Sequence, residues 1–111
     1  MTLIITNLFT SCLSADKMQV NKCNENAKFK KAFFYNVSIA EKYTLEQQSP
    51  VEHKIETKAF LKSLKFISKY TKVSMDKVSN YVIGYPTYQA FLLDKKEWIK
   101  WYNANKCNNL N

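Results

Sequence analysis

The middle of this chain carries the pattern of one amphipathic helix. Its apolar positions recur at steps of four, three and four residues, the spacing of one side of an α-helix: Phe60, Leu64, Ile67 and Thr71. The opposite side carries a stripe of lysines: Lys58, Lys62, Lys65, Lys69 and Lys72. Because the apolar side has to be buried against other elements, the pattern predicts a core-facing helix over about residues 50–71.

The start of that predicted helix has the composition of a capping box. Ser49 stands at the N-cap, Pro50 at the first helical position and Glu52 at the third. A serine there accepts a hydrogen bond from a backbone N–H that the first turn leaves without a partner. This interpretation places His53, the single histidine, at an exposed position of the first turn.

An earlier segment, about residues 26–47, has a second helical face. Its apolar positions again follow steps of three and four: Phe29, Phe33, Val37, Ala40 and Thr44. A competing alternation would suit a strand: Phe33, Tyr35, Val37 and Ile39. The length of the segment and its charged flanks favour the helix.

The last helix is predicted over about residues 94–105. Asp94 at its N-cap and Glu97 at its third position form another capping box, and Leu93 can pack against Trp98 as a hydrophobic staple. The inner face would then carry Trp98, Trp101, Tyr102 and Asn105. A separate short helix is predicted before it, over residues 87–92.

The scarcity of turn residues sets the fold class. Glycine occurs once and proline twice in 111 residues, whereas sandwiches and barrels need turn residues at regular intervals. We therefore predict an all-α, single-domain bundle of three to four helices within residues 27–107, followed by a tail of residues 108–111. The lone Gly84 also excludes a glycine-rich phosphate-binding loop.

Two of the three cysteines flank everything that looks folded. Cys23 precedes the first predicted helix and Cys107 follows the last. A disulfide between them would close a loop of more than eighty residues and contribute roughly 4 kcal/mol on the chain-entropy model. It would require an oxidising compartment. The alternative is two free thiols in a cytoplasmic protein.

The remaining cysteine, Cys12, follows a signal-like segment. Residues 1–11 carry no charged side chain, and Leu8-Phe9-Thr10-Ser11-Cys12 resembles a bacterial lipobox, in which the cysteine becomes the lipidated first residue. Phe9 stands where that pattern usually has leucine, and no basic region precedes it. The resemblance implies lipid on Cys12, a membrane partner and a polar tether over residues 12–26. The alternative is a buried N-terminal element with an incidental cysteine.

The positive charge limits the classes of partner. The net charge is +8, and all 17 basic residues are lysine, so the arginine fork that reads guanine edges is missing and specific nucleic-acid binding is disfavoured. The lysine stripe is either a solvated outer face or a surface for an acidic protein or anionic lipid. A second candidate surface is a tyrosine-rich loop of Tyr81, Tyr85 and Tyr88, which could also simply cover helix ends.

Residues 57–106 carry a further resemblance. The run AFLKSLKFISKYT, a Tyr-Pro loop and DKKEWIKWYNANK resemble the ends of HEAT-like helical repeats and small exported bacterial lipoproteins of unassigned function that end in W-x-x-W-Y. The resemblance implies helical architecture and export, and it carries over no functional residue.

Three functions are compatible with these features. The leading hypothesis is a non-catalytic, lipid-anchored binding module at the cell envelope, facing the periplasm or the cell surface. The alternatives are an immunity or inhibitor protein and a basic cytoplasmic nucleic-acid binder. With one histidine and no paired acids near a marked loop, the sequence predicts no catalytic residues, no metal site and no cofactor.

Overall fold

The computed structural model describes residues 23–72, 84–108 and 110, and these form three helices. They are α1 (Ala27–Gln48), α2 (Thr57–Thr71) and α3 (Tyr88–Asn105), and the described residues contain no strand. The predicted all-α bundle is confirmed. Residues 33–39 lie inside α1, so the helical interpretation of that segment is correct and the strand alternative is wrong.

α1 forms as its periodicity predicts. Asn26 is its N-cap, and the side-chain oxygen of Asn26 accepts a hydrogen bond from the Phe29 backbone N–H at 2.9 Å. The five residues of the predicted face are all buried: Phe29, Phe33, Val37, Ala40 and Thr44. Thr44 satisfies its buried hydroxyl by donating to the carbonyl of Ala40 one turn earlier.

α2 begins at Thr57 rather than at residue 50, so the predicted capping box is wrong. Ser49 instead ends α1 in an extended conformation. A helix begun at residue 50 would have placed His53 and Glu56 on the stripe that buries Phe60, because they precede it by seven and four residues. The chain avoids this by an irregular connection, and His53 is exposed in it.

Glu46, near the end of α1, organises that connection. Its Oε1 accepts the backbone N–H groups of Lys54 and Ile55, both at 2.9 Å. Those two donors are therefore satisfied without a helical turn. Ile55 packs against the core from this position, and α2 starts two residues later.

α3 is one continuous helix, so the predicted separate helix over residues 87–92 and the start at Asp94 are both wrong. Its N-cap is Thr87, whose side-chain oxygen accepts the Ala90 backbone N–H at 3.1 Å. Asp94 lies in the helix interior and is only 4% exposed. Leu93 is 68% exposed, so the predicted staple against Trp98 is not formed. Trp98 is buried by its contact with Phe91 instead.

The core is largely aromatic and runs the length of the bundle. At one end Phe33 packs against Trp101 and Tyr102, with ring centroids 5.7 and 5.3 Å away. At the other end Tyr43 stacks on Phe60 with centroids 4.2 Å apart. Aromatic pairs of this kind contribute about 0.5–1.5 kcal/mol each beyond their area burial.

Phe91 joins the second end of the core to the last helix. It makes edge contacts with Tyr85 at 5.5 Å and with Trp98 at 5.7 Å, measured between ring centroids. Trp98 follows Phe91 by seven residues, so both lie on the same buried side of α3. Trp101 and Tyr102 continue that side, as predicted.

Gly84 adopts a backbone conformation that requires glycine. Its φ is +110°, and a Cβ built there would stand 3.3 Å from Cε2 of Tyr43. Side chains other than hydrogen are disfavoured by both the backbone angle and the close approach. The residue lets the chain enter α3 directly over the Tyr43–Phe60 stack.

Candidate functional site

The two ends of the described domain are joined by a disulfide between Cys23 and Cys107. Their Cα atoms are 5.5 Å apart and the cysteines are separated by 84 positions in the sequence. The predicted pairing is confirmed. Cys23 is half-buried, whereas Cys107 lies on the exposed surface just after α3. Cys12 and the signal-like residues 1–11 lie outside the described residues.

Polar contacts reinforce the same end of the bundle. The Tyr102 hydroxyl donates to Oε1 of Glu25 at 2.7 Å, and the amide of Asn26 donates to the Leu110 carbonyl at 2.6 Å. Lys30 also lies 3.7 Å from Glu25, although this exposed pair contributes little. Residues 23–26, predicted to belong to a tether, are thus in direct contact with α3 and the segment after it.

The Tyr102–Glu25 contact changes the acidity of both groups. Burial, followed by the hydrogen bond to Glu25, raises the pKa of Tyr102 to about 12. The hydrogen bond from Tyr102 lowers the pKa of Glu25 below its ordinary value. Both shifts favour a neutral tyrosine that donates to an ionised carboxylate.

A second polar junction connects α1 with α3. Glu41 accepts hydrogen bonds from the Tyr88 hydroxyl and from Nζ of Lys95, the latter at 2.9 Å. Burial raises the pKa of Glu41, but the hydrogen bonds from Tyr88 and Lys95 outweigh burial and leave the pKa below its ordinary value. The hydrogen bond to Glu41 in turn raises the pKa of Tyr88. The sequence pattern gave no sign of this junction.

The predicted aromatic loop site is divided by the fold. Tyr85 is 6% exposed, and its hydroxyl donates to Oδ2 of Asp94 at 2.7 Å inside the bundle. Tyr88 is half-buried and directed to Glu41. Tyr81 lies outside the described residues. The two described tyrosines therefore serve helix packing and present no common ligand-facing surface.

The predicted lysine stripe is an exposed face of α2 together with Lys72, which follows the helix in a left-handed conformation. All five members are exposed: Lys58, Lys62, Lys65, Lys69 and Lys72. Nζ of Lys69 lies 5.5 Å from the centre of the Tyr70 ring, a weak cation–π contact at this exposure. Leu61, beside the stripe, is 40% exposed.

Two surface depressions of the described domain lie between helices and include residues packed against the core. One, of about 290 Å³, lies between α1 and α2 and is lined by Asn26, Lys28, Phe29, Ala32, Phe66 and Tyr70. The other lies where the end of α2 meets α3 and includes Thr71, Glu97, Lys100 and Trp101. Across the described ranges, no group of three or more His, Cys, Asp or Glu could hold a metal ion.

The comparisons with known proteins give no family assignment: no family model matches the chain, and neither a curated protein nor a solved structure matches it significantly. The resemblance to exported lipoproteins and to HEAT-like repeats therefore stays a prediction. Among the described helices, none is both long enough and apolar enough to cross a membrane.

Proposed function

We propose that this chain is a non-catalytic, exported helical module, anchored at a bacterial cell envelope by lipid on Cys12, that binds a partner there. The observation that carries the proposal is the Cys23–Cys107 disulfide, which closes the whole described domain. Disulfides that span a domain persist in oxidising compartments and are rare in the cytoplasm. Cys12 is then left as the single cysteine for another role, and its sequence context resembles a lipobox.

The use of acidic groups in the bundle supports a role without catalysis. Glu25, Glu41 and Asp94 each accept a hydrogen bond from a tyrosine hydroxyl that belongs to the packing of the helices. A general acid or base needs a carboxyl group that is available to a substrate. These three carboxylates are instead used to connect helices and their flanking segments.

Lipid labelling tests the anchor. Wild-type protein grown with radiolabelled palmitate should carry label in the membrane fraction, and Cys12→Ala should lose it. The matched control is Cys23→Ala/Cys107→Ala, which removes the disulfide and should keep the label. Unlabelled wild-type protein with its full sequence mass, recovered from the cytoplasm, would contradict the proposal.

Intact-mass measurement tests the compartment independently of the lipid. Protein isolated in the presence of a thiol-alkylating agent should show no alkylation at Cys23 or Cys107 until a reductant is added. Full alkylation of both cysteines without reductant would place the chain in a reducing compartment. That result would overturn export even if the domain can form the disulfide after purification.

The lysine stripe of α2 favours one second candidate, an immunity or inhibitor protein. Four exposed lysines of α2, with Lys72 just after its end, would complement an acidic surface on a toxin or enzyme. Pull-down from envelope fractions should then recover a protein whose retention falls as salt rises from about 0.05 to 0.5 M. Recovery that is indifferent to salt would reject the stripe as the contact.

A further inference from the structure

The outer side of α3 combines exposed apolar groups with lysines. Leu92, Lys96, Ile99 and Asn103 follow one another at steps of four, three and four residues, and Lys100 lies beside them. We call these five residues the α3 outer face. Leu92 is 38% exposed, and its neighbour Leu93 is 68% exposed. Ile99 is half-buried, whereas the core of the bundle is reached from another side of the helix, at Trp98 and Phe91.

We infer that the α3 outer face is a docking surface for an anionic phospholipid bilayer. A helix lying in a membrane interface needs apolar side chains that enter the headgroup region and basic side chains that meet the lipid charge. The α3 outer face supplies both within about three turns. Lys96 and Lys100 are exposed, and Lys95, which lines the same surface depression as these residues, is paired with Glu41 at 2.9 Å. Glu97 lies to one side, in the depression that α3 forms with the end of α2, and Lys100 lines that depression as well.

The composition of the face favours lipid over a protein partner. Protein-binding surfaces concentrate their energy in aromatic residues and arginine, and this face has neither. Lysine can bring its ammonium group to headgroups while its methylene stem stays with apolar neighbours. The α2 lysine stripe is the weaker candidate for membrane docking, because it has little apolar surface to enter the headgroup region. Among the residues of α2, the large apolar side chain that is exposed beside the five lysines is Leu61.

The position of the disulfide keeps the α3 outer face within reach of a membrane that holds Cys12. Cys107 follows the end of α3 by two residues, and Cys23 is joined to it with 5.5 Å between Cα atoms. The chain that leads to Cys12 therefore leaves the domain at the carboxyl end of α3. Eleven residue steps separate Cys12 from Cys23, a reach of at most about 40 Å. This step rests on the proposed lipid anchor, whereas the composition of the face does not.

Vesicle binding without the lipid separates this inference from the anchor. The probe is the full chain with Cys12→Ser, mixed at about 0.1 M salt with vesicles of phosphatidylcholine alone or with 30% phosphatidylglycerol. We expect sedimentation with the anionic vesicles alone. Lys96→Gln/Lys100→Gln should lower partitioning about thirtyfold, because each lysine near an anionic leaflet contributes a factor of about five.

Two matched variants identify the face. Lys31→Gln/Lys42→Gln removes the same charge from the exposed side of α1 and should lower partitioning less than threefold. Leu92→Gln/Ile99→Gln keeps the charge and should also lower partitioning about tenfold or more, with circular dichroism confirming an unchanged fold. Equal losses from the α1 and α3 lysine pairs would mean attraction by net charge alone and would overturn the inference.

Two other results would also overturn it. One is failure of the Cys12→Ser chain to sediment with anionic vesicles, which leaves palmitate labelling of the wild type to decide the anchor separately. The other is binding to polyglutamate but not to vesicles, abolished by Lys96→Gln/Lys100→Gln. That result would make the α3 outer face a surface for an acidic protein.

Discussion

The hydroxyl of Tyr102 lies 2.7 Å from Oε1 of Glu25, which places the last helix in direct contact with the segment before the first. The two residues are 77 positions apart in sequence and meet beside the disulfide. The bond is made by a buried tyrosine and a solvent-accessible carboxylate. The bond needs the proton on the Tyr102 hydroxyl, so it is lost when that hydroxyl ionises.

Alkaline pH should weaken the fold through Tyr102. Its pKa is raised from 10.0 to about 12 in the folded chain, so the folded state holds this proton more tightly than the unfolded state does. The associated stability is complete below pH 10 and is lost as pH rises from about 10 to about 12. Tyr102→Phe should remove this part of the decline, measured by urea unfolding at a series of pH values.

Tyr35→Phe is the matched control for that titration. Tyr35 is 62% exposed on α1, so its replacement should leave the alkaline decline as it is in the wild type. An unchanged decline in Tyr102→Phe would show that the loss of stability arises elsewhere.

Removal of the disulfide should cost a large part of the folding free energy. Cys23→Ser/Cys107→Ser frees a loop of 84 residue steps, which corresponds to about 4 kcal/mol on the chain-entropy model. The urea midpoint of the wild type should fall when a reductant is added, while that of the double variant should not respond. Identical midpoints for oxidised and reduced wild type would mean that the reduced unfolded chain is already compact.

Gly84→Ala should destabilise the domain by about 1–3 kcal/mol. The added Cβ meets the Tyr43 ring at 3.3 Å, and the φ of +110° is one that alanine rarely adopts. A glycine in an ordinary conformation would give the opposite sign, since alanine restricts the unfolded chain. A thermal midpoint that rises in Gly84→Ala would therefore contradict the described backbone.

Single substitutions at two candidate N-cap residues test where the helices begin. Thr87→Ala should lower stability by about 1 kcal/mol, because it removes the oxygen that accepts the Ala90 N–H. Ser49→Ala should change stability little, because Ser49 follows α1 and caps no helix start. A loss of similar size at Ser49 would support the start of α2 at residue 50 that the sequence pattern predicts.

The spacing of apolar residues predicts which side of a helix is buried where the pattern repeats over several turns. Five of the six buried residues of α1 follow from the spacing of its apolar positions, whereas the burial of Tyr43 is not predicted by it. Phe60, Leu64 and Ile67 of α2 are likewise buried, and Thr71 at its end is half-buried. The pairing of Cys23 with Cys107 followed from their positions on either side of these helices.

Short local motifs predicted the helix starts less well, because distant groups compete for the same atoms. Glu46 takes two backbone N–H groups that a helix from Pro50 would have used differently. Asp94 has the composition of an N-cap, but its carboxylate accepts from Tyr85 inside the bundle. Contacts such as Glu41 with Tyr88 could not be predicted, because they depend on how α1 and α3 are rotated against each other.

The side chain of Asn26 has two separate partners. Its oxygen begins α1 at the Phe29 N–H, and its nitrogen donates to the carbonyl of Leu110, 84 positions later. One planar amide thus couples the first turn of the first helix to the residues that follow Cys107. A spectroscopic label at residue 110 would therefore report fraying of the amino end of α1, although the two sites lie almost a whole chain apart.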